Sequence, residues 1–427
     1  RILLAIPGAS LRRRRDVLER LSAFHVRVQT MPGLEKIISG EATVDDVREV
    51  EVEDLLGRDP VPPRPELLGG SVAGKNVLVS GAGGSIGSEL SRQIMRLQPN
   101  RLVIFERSEF ALYAIEKELR QIAKDVNSNS HIVVLLGSVT DKRRVDEVLE
   151  TFDIETIFHA AAYKHVPIVE HNLLEGVRNN VFGTLELANS AAAAGVEKFV
   201  LISTDKAVSP TNVMGATKRV SELILQGLQD ECETTRFCMV RFGNVLDSSG
   251  SVVPLFKKQI RAGGPVTVTH RDIVRYFMTI PEAAELVIQA ATMARGGEVF
   301  VLDMGDPVRI LDLAQNMIHL MGLTICDTQN PDGDIRIDFT GLRPAEKLYE
   351  ELLIGANVAG TDHPRILRAD EEKIPNEQLR ALLDELGMAM EQLDRGAARE
   401  LLMRIVDGYR PGAGIVDHVW LEGRQDE

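Results

Sequence analysis

From Lys75 onward the sequence predicts an α/β chain built on a doubly wound parallel sheet, and three observations carry that expectation. Short apolar runs at 76–80, 101–105, 131–136, 156–159, 199–203 and 238–242 read as buried strands. Helical patterns lie between most of them, the alternation that produces parallel strands. A glycine-rich turn closes the first strand and opens the helix after it. Composition agrees with a globular chain: 44% of residues are hydrophobic and 26% charged. A length of 427 residues implies two to three domains. The net charge of -14 argues against a nucleic-acid partner or an anionic membrane surface, but not against a local basic groove. The three cysteines, Cys232, Cys238 and Cys326, lack metal-ligand spacing, so a reducing compartment and no metal site are expected.

Ahead of this region, residues 2–6 and 26–30 read as strands flanking a helix over 10–24. A strand beginning at once needs a sheet to join, so residue 1 is expected to be a cut point, with residues 1–58 the end of a partial α/β domain. The arginines 12–15 read as a solvated helix face beside Asp16 and Glu19. Prolines 60, 62, 63 and 65 mark a linker over 59–73. Residues 74–250 form the expected Rossmann-type dinucleotide-binding domain. Shorter strands and Gly/Pro-rich loops over 251–360 suggest a substrate-binding subdomain. Two amphipathic helices within 374–405 suggest a helical extension over 361–427. No apolar run reaches the roughly 20 residues of a membrane-spanning helix.

The turn VLVSGAGGSIGSEL spaces Gly81, Gly84 and Gly87 as GxxGxxG; Ile86 occupies the third glycine position of the commoner GxGxxG spacing. Such a turn, with Ser85 opening the helix, lets the backbone approach a pyrophosphate and aims helix N–H groups at it. Glu106, 19 residues past Gly87, ends the second strand. An acid there can hold a ribose 2′-hydroxyl and repel a 2′-phosphate, which favours NAD over NADP. Its neighbour Arg107 could hold a 2′-phosphate and argues the other way. Ser138 and Val139 follow the third strand, where an adenine contact is expected.

Further motifs follow in order: FHAAAYKHVP, NNVFGT, LISTDKAVSPTNVMGATK and GLRPAEKLYEEL. Together with GAGGSIG they resemble the extended short-chain dehydrogenase/reductase superfamily. More narrowly, they resemble the long, membrane-anchored UDP-N-acetylglucosamine 4,6-dehydratases of bacterial surface-polysaccharide synthesis. The resemblance covers roughly residues 70–355 densely and implies a bound NAD, a UDP-sugar substrate and no metal. It aligns Thr204 and Lys218 with the hydroxyl and lysine of the superfamily's Ser/Thr, Tyr-x-x-x-Lys triad. Met214 stands at the tyrosine position and cannot act as a base. The same overlay makes Asp205 the acid at the C6 hydroxyl and Lys206 the base at C5. For that role the Lys206 pKa must fall well below its usual range near 10.4.

On the substrate side the resemblance implies contacts from Lys164 and His165, beside the cofactor-facing Ala160, Ala161 and Ala162. It places Asn180 as support for the site's geometry. The loop carrying Arg241 and Asn244 would hold diphosphate and sugar, and Asp247, where relatives tend to have Gly, is expected to point away. Arg275, Arg343 and Glu346 complete the expected substrate set, since arginine presents a fork suited to phosphate. A homodimer or higher oligomer is implied, formed through helices at 177–194 and 213–231. So is a cytoplasmic location for the part of an inner-membrane-anchored protein whose membrane helices lie outside this chain. Two alternatives stay open: a nucleotide-sugar epimerase, and a non-catalytic NAD-binding sensor, which Met214 invites.

Overall fold

The computed structural model describes residues 1–6, 8–22, 24, 26–31, 48–50, 52–56, 61–343, 345–351, 358–412 and 414–423. Prolines 60 and 344 and part of the acidic stretch before Asp54 lie outside them. At the centre is a nine-stranded sheet. Its strands in chain order are β1 Asn76–Ser80, β2 Arg101–Glu106, β3 His131–Leu136, β4 Thr156–His159 and β5 Lys198–Ile202. They are followed by β6 Arg236–Arg241, β7 Glu298–Leu302, β8 Val358–Gly360 and β9 Ile366–Ala369.

The spatial order is β8-β9-β7-β6-β5-β4-β1-β2-β3. Strands β1 to β7 run parallel; β9 pairs antiparallel with both β7 and β8. This is the doubly wound α/β fold. The chain direction across the sheet reverses between β1 and β4, which opens a crevice at the strands' carboxyl ends. Strands β1, β4 and β5 are almost wholly buried because helices cover both faces, which explains their continuous apolar runs. One apolar layer holds Val77, Val79, Leu90 and Ile94; the other holds Leu78, Ile157, Phe199 and Leu201. Side chains alternate across each strand, so the two layers take alternate residues.

Beyond β6 the chain builds a smaller lobe from short strands. Val266–Val268 pairs with Ile335–Phe339, and Asn244–Val245 with Phe277–Met278. Phe256, Ile260, Phe277 and Ile318 form its own apolar cluster. Near the N-terminus, Ile2–Leu4 and Val28–Thr30 pair in parallel beside helix Leu11–Ser22. Leu4, Leu18 and Val28 pack onto Leu320 of the smaller lobe. Within the arginine run, Arg15 pairs with Glu19 on the exposed face, while Arg14 is buried against Asp54 at 3.1 Å.

At the other end of the chain, helices Asn376–Glu391 and Arg395–Ile405 lie against the long helix Val213–Glu231. Leu382, Leu386, Leu402 and Ile405 join Met214, Val220 and Ile224 in one cluster. Residues 213–227 of one helix expected at a dimer contact are buried inside this chain and leave no face there for a second copy. Among the described residues no helix is long and apolar enough to cross a membrane.

Candidate active site

The glycine-rich turn leaves β1 at the crevice. Gly81 has φ +69°, and a Cβ there would lie 2.7 Å from the Ala161 backbone. A Cβ on Gly87 would lie 2.0 Å from the Gly81 carbonyl oxygen. These two positions therefore require glycine. Helix Ser85–Arg96 starts there, with Gly84 as its N-cap and no side chain capping the N–H groups. Ile86 packs against the apolar layer beneath. Glu106, at the end of β2, accepts from the Gly83 N–H at 3.0 Å, and from the Arg107 and Ser108 N–H groups at 2.9 Å each. It is thus held against the turn. Arg107 leaves that spot and stacks on the Tyr163 ring at 5.1 Å. Ser138 hydrogen-bonds Thr140 after β3, and Val139 is buried against Gly183.

After β5 the chain enters a short 3-10 turn, Asp205–Ala207, capped by Thr204. This geometry throws Asp205 and Lys206 into a cavity between the main sheet and the smaller lobe. The cavity is lined by Asp205, Lys206, Asn212 and Asn244 on one side, and by Arg275, Arg343, Glu346, Lys347 and Glu350 on the other. Thr204 Oγ1 donates to Asp205 Oδ1 at 2.8 Å. Lys206 Nζ lies 3.0 Å from Asp205 Oδ1, 3.0 Å from Glu350 Oε1 and 3.4 Å from Asn244 Oδ1. Arg275 reaches Glu350 and Glu346 at 3.2 Å each. The Arg343 N–H donates to Glu346 at 3.0 Å.

Lys218 sits on helix Val213–Glu231 and is 4% exposed. Burial lowers its pKa to about 8, against the opposing pull of Glu222. Among the described residues no carboxylate lies within 4 Å of its ammonium, unlike Lys206. No group of acids, histidines and cysteines among the described residues could hold a metal ion.

The match to the family model described as polysaccharide biosynthesis protein spans residues 77–371, from β1 through the cavity to the sheet's far edge. The chain belongs to that family. Its relatives include the capsular polysaccharide biosynthesis protein CapD of Staphylococcus aureus, 45% identical over 408 residues, 95% of this chain and 65% of CapD. The chain thus spans about two thirds of that relative's length. An inverting UDP-N-acetylglucosamine 4,6-dehydratase of Campylobacter jejuni is 30% identical over 66% of this chain and 78% of its own. A UDP-glucose 4-epimerase of Rickettsia akari is also 30% identical, over 67% and 80%.

Within this family member the cavity gathers Asp205, Lys206, Asn244, Arg275, Arg343 and Glu346, all anticipated from the sequence. Other expectations need correction. Arg241 does not reach the cavity. It is wholly buried, giving two bonds to Glu222 at 2.8 and 2.6 Å and one to Glu371 at 2.5 Å. Asn180 is buried behind the cavity, accepting from the Tyr163 N–H and donating to the Tyr163 carbonyl and the Thr217 hydroxyl. Met214 lies 3% exposed in the apolar cluster rather than in the cavity. Lys164 and His165 do not line the cavity; the next two residues, Val166 and Pro167, do. His165 instead lies against Gly250, whose loop also reaches Ser85 through the Ser249 N–H.

The base role given to Lys206 needs a lowered pKa. Burial does pull it down, but Asp205 and Glu350 outweigh that and hold it above its ordinary value. Asp247 does point away, toward Lys257 at 3.5 Å, and its φ of 55° is a conformation glycine adopts more readily. Among the cavity residues missed from the sequence, with Asn212, Lys347 and Glu351, is Glu350. It sits in the same GLRPAEKLYEEL segment as Glu346, four positions on, and a signal was present in that spacing.

Proposed function

We propose that this chain is the catalytic part of an NAD-dependent UDP-sugar 4,6-dehydratase. It converts UDP-N-acetylglucosamine, or a close UDP-N-acetylhexosamine, to the 4-keto-6-deoxy sugar for surface-glycan synthesis. The observation that carries the reading is the Asp205–Lys206 pair, 3.0 Å apart, at the carboxyl edge of a doubly wound sheet and facing a cavity that Arg275 and Arg343 also line.

The residues present fit a nicotinamide dinucleotide. The turn at Gly81–Gly87 admits close backbone approach, the N–H groups starting the next helix have no side-chain cap, and Lys218 offers a buried ammonium. Glu106 stands at the end of β2, the position that meets the adenosine ribose in this fold, and its charge favours NAD. When bound, the nicotinamide would supply reversible hydride transfer: removal from the sugar's C4, which leaves a ketone that acidifies C5–H, and return to C6 once water has left, which gives the 6-deoxy carbon. Lys206 then takes the C5 proton and Asp205 protonates the departing C6 oxygen. Thr204, whose hydroxyl hydrogen-bonds Asp205, fixes the acid's orientation. Arg275 and Arg343 supply positive charge for the diphosphate, and Asn244 and Glu346 face the sugar.

A UDP-sugar 4-epimerase is the second reading, favoured by the Rickettsia relative. Turnover in heavy water separates the two. Dehydration by this mechanism leaves one solvent deuteron at C5, and the Lys206→Met variant does not incorporate it. A product free of deuterium at C5 refutes the role given to Lys206. Attachment to a membrane through a segment outside this chain belongs to the same proposal.

A further inference from the structure

The cavity holds an acid that the mechanism above leaves unused. Glu350 has a side chain 6% exposed. Its Oε1 receives Lys206 Nζ at 3.0 Å and Arg275 Nε at 3.2 Å. Its Oε2 is buried without a donor among the described residues, and so is Asp205 Oδ2. Two buried carboxylate oxygens left unpaired are costly. Carboxylates carry only acceptors, so a proton on one of the two acids is what would turn an unpaired oxygen into a donor.

Its position follows from the surroundings. Burial and the nearby Asp205 raise Glu350 to about 7, against the pull of Lys206 and Arg275. Burial would raise Asp205 as well, but Lys206, Glu350 and Thr204 overcome it and hold it below its ordinary value. The proton therefore resides on Glu350. The remaining charges nearby are Arg343, Glu346, Lys347 and Glu351 on its own segment.

Lys206 must lose its own proton before it can accept one from carbon. With Glu350 ionised, the ammonium faces two anions at 3.0 Å and is trapped in its charged form. With Glu350 neutral, Asp205 is the single anion in contact. One transfer along the 3.0 Å Nζ–Oδ1 contact then yields a free amine and a protonated acid together, with no net charge created.

We infer that Glu350 is a positioning residue for the elimination: by carrying a proton it allows Lys206 to hand its own to Asp205, arming base and acid in one step. The inference rests on the dehydratase reading. The amine takes the C5 proton, and the C–H electron pair becomes the C5–C6 double bond as the C6–O bond breaks. The departing oxygen takes the Asp205 proton and leaves as water. Lys206 ends as ammonium, Asp205 as carboxylate and Glu350 unchanged, so protons and charge balance.

The test is the pH profile of turnover on UDP-N-acetylglucosamine, in the wild type and in Glu350→Gln. Glutamine keeps the shape of the side chain and stays neutral. Wild-type turnover should fall as pH rises through neutrality, while the variant keeps neutral-pH turnover and lacks that fall. The same alkaline fall in the variant overturns the inference. So does a loss beyond the ~100-fold expected for removing a direct acid or base, in a variant that still folds and binds NAD. A second measurement uses the wild type alone. Infrared difference spectroscopy of the cofactor-free chain should show a protonated carboxyl band that disappears as pH rises through neutrality; its absence overturns the inference. A wild type that forms no dehydrated product at any pH removes the dehydratase reading and this inference with it. A productive wild type with an unaltered variant profile removes only the inference.

Discussion

Replacing Arg241 by Met should damage stability and leave nucleotide binding intact. Arg241 is wholly buried, and its guanidinium joins Glu222 to Glu371, two residues 149 positions apart in the chain. Without it Glu222 keeps only Arg219 at 3.1 Å and the Ser203 hydroxyl at 2.6 Å. The size of the effect follows from the carboxyl group. Burial alone would raise Glu222, yet Arg241, Arg219 and Ser203 bring it from 4.5 down to about 2. At about 1.4 kcal/mol per pH unit, that difference is worth ~3 kcal/mol for the three partners together, with Arg241 the largest contributor. Breaking a buried ion pair by removing one partner costs about 3–5 kcal/mol, which agrees. Because the folded pKa is the lower one, this stabilisation is present above pH 4.5 and lost as pH falls toward 2. Urea denaturation should therefore show Arg241→Met less stable by ~3 kcal/mol at neutral pH, with the gap from wild type closing on acidification. Calorimetric titration with UDP should give affinity close to wild type. An unchanged urea midpoint together with UDP affinity reduced ~10-fold or more would restore Arg241 as a phosphate ligand and refute this reasoning.

Three further outcomes are expected. Glu106→Ala should weaken NAD binding by ~10-fold or more, the cost of one hydrogen bond to a charged group, and narrow the preference against NADP, as read by fluorescence titration. NAD binding to the cofactor-free wild type should weaken as pH rises through about 8, where Lys218 loses its charge. Lys218→Met should bind weakly and show no such pH dependence; a wild-type affinity flat across that range contradicts the role given to Lys218. Leu386→Ala should cost about 2–5 kcal/mol, since Leu386 is fully buried where the C-terminal helices cover Val213–Glu231. A wild-type melting temperature in that variant would show the cover to be loosely packed.

The sheet was legible because its information is local. Each of the first six strands carries its own apolar run, and the observed bounds differ from the expected ones by no more than two residues at either end. The glycine-rich turn was legible for the same reason: Gly81 and Gly87 are forced by contacts within their own turn and with Ala161. Arg241 shows what local pattern cannot reveal. An arginine ending a strand at the crevice reads as a phosphate ligand until Glu222 and Glu371 are brought onto it from distant parts of the chain. The charge of Lys206 depends on distant residues likewise: the sequence sets Asp205 beside it, and Glu350 arrives from 144 residues away as a second anion that raises its pKa. The buried face of Val213–Glu231 has the same composition whether a second copy or the chain's own C-terminal helices cover it.

The central claim is that Asp205 and Lys206 remove water from a UDP-sugar, and the mass of the product tests it most directly. Incubation of the wild type with NAD and UDP-N-acetylglucosamine should yield a UDP-sugar lighter by one water, and neither Asp205→Asn nor Lys206→Met should yield it. An isobaric product from the wild type, or full water loss in both variants, would contradict the account.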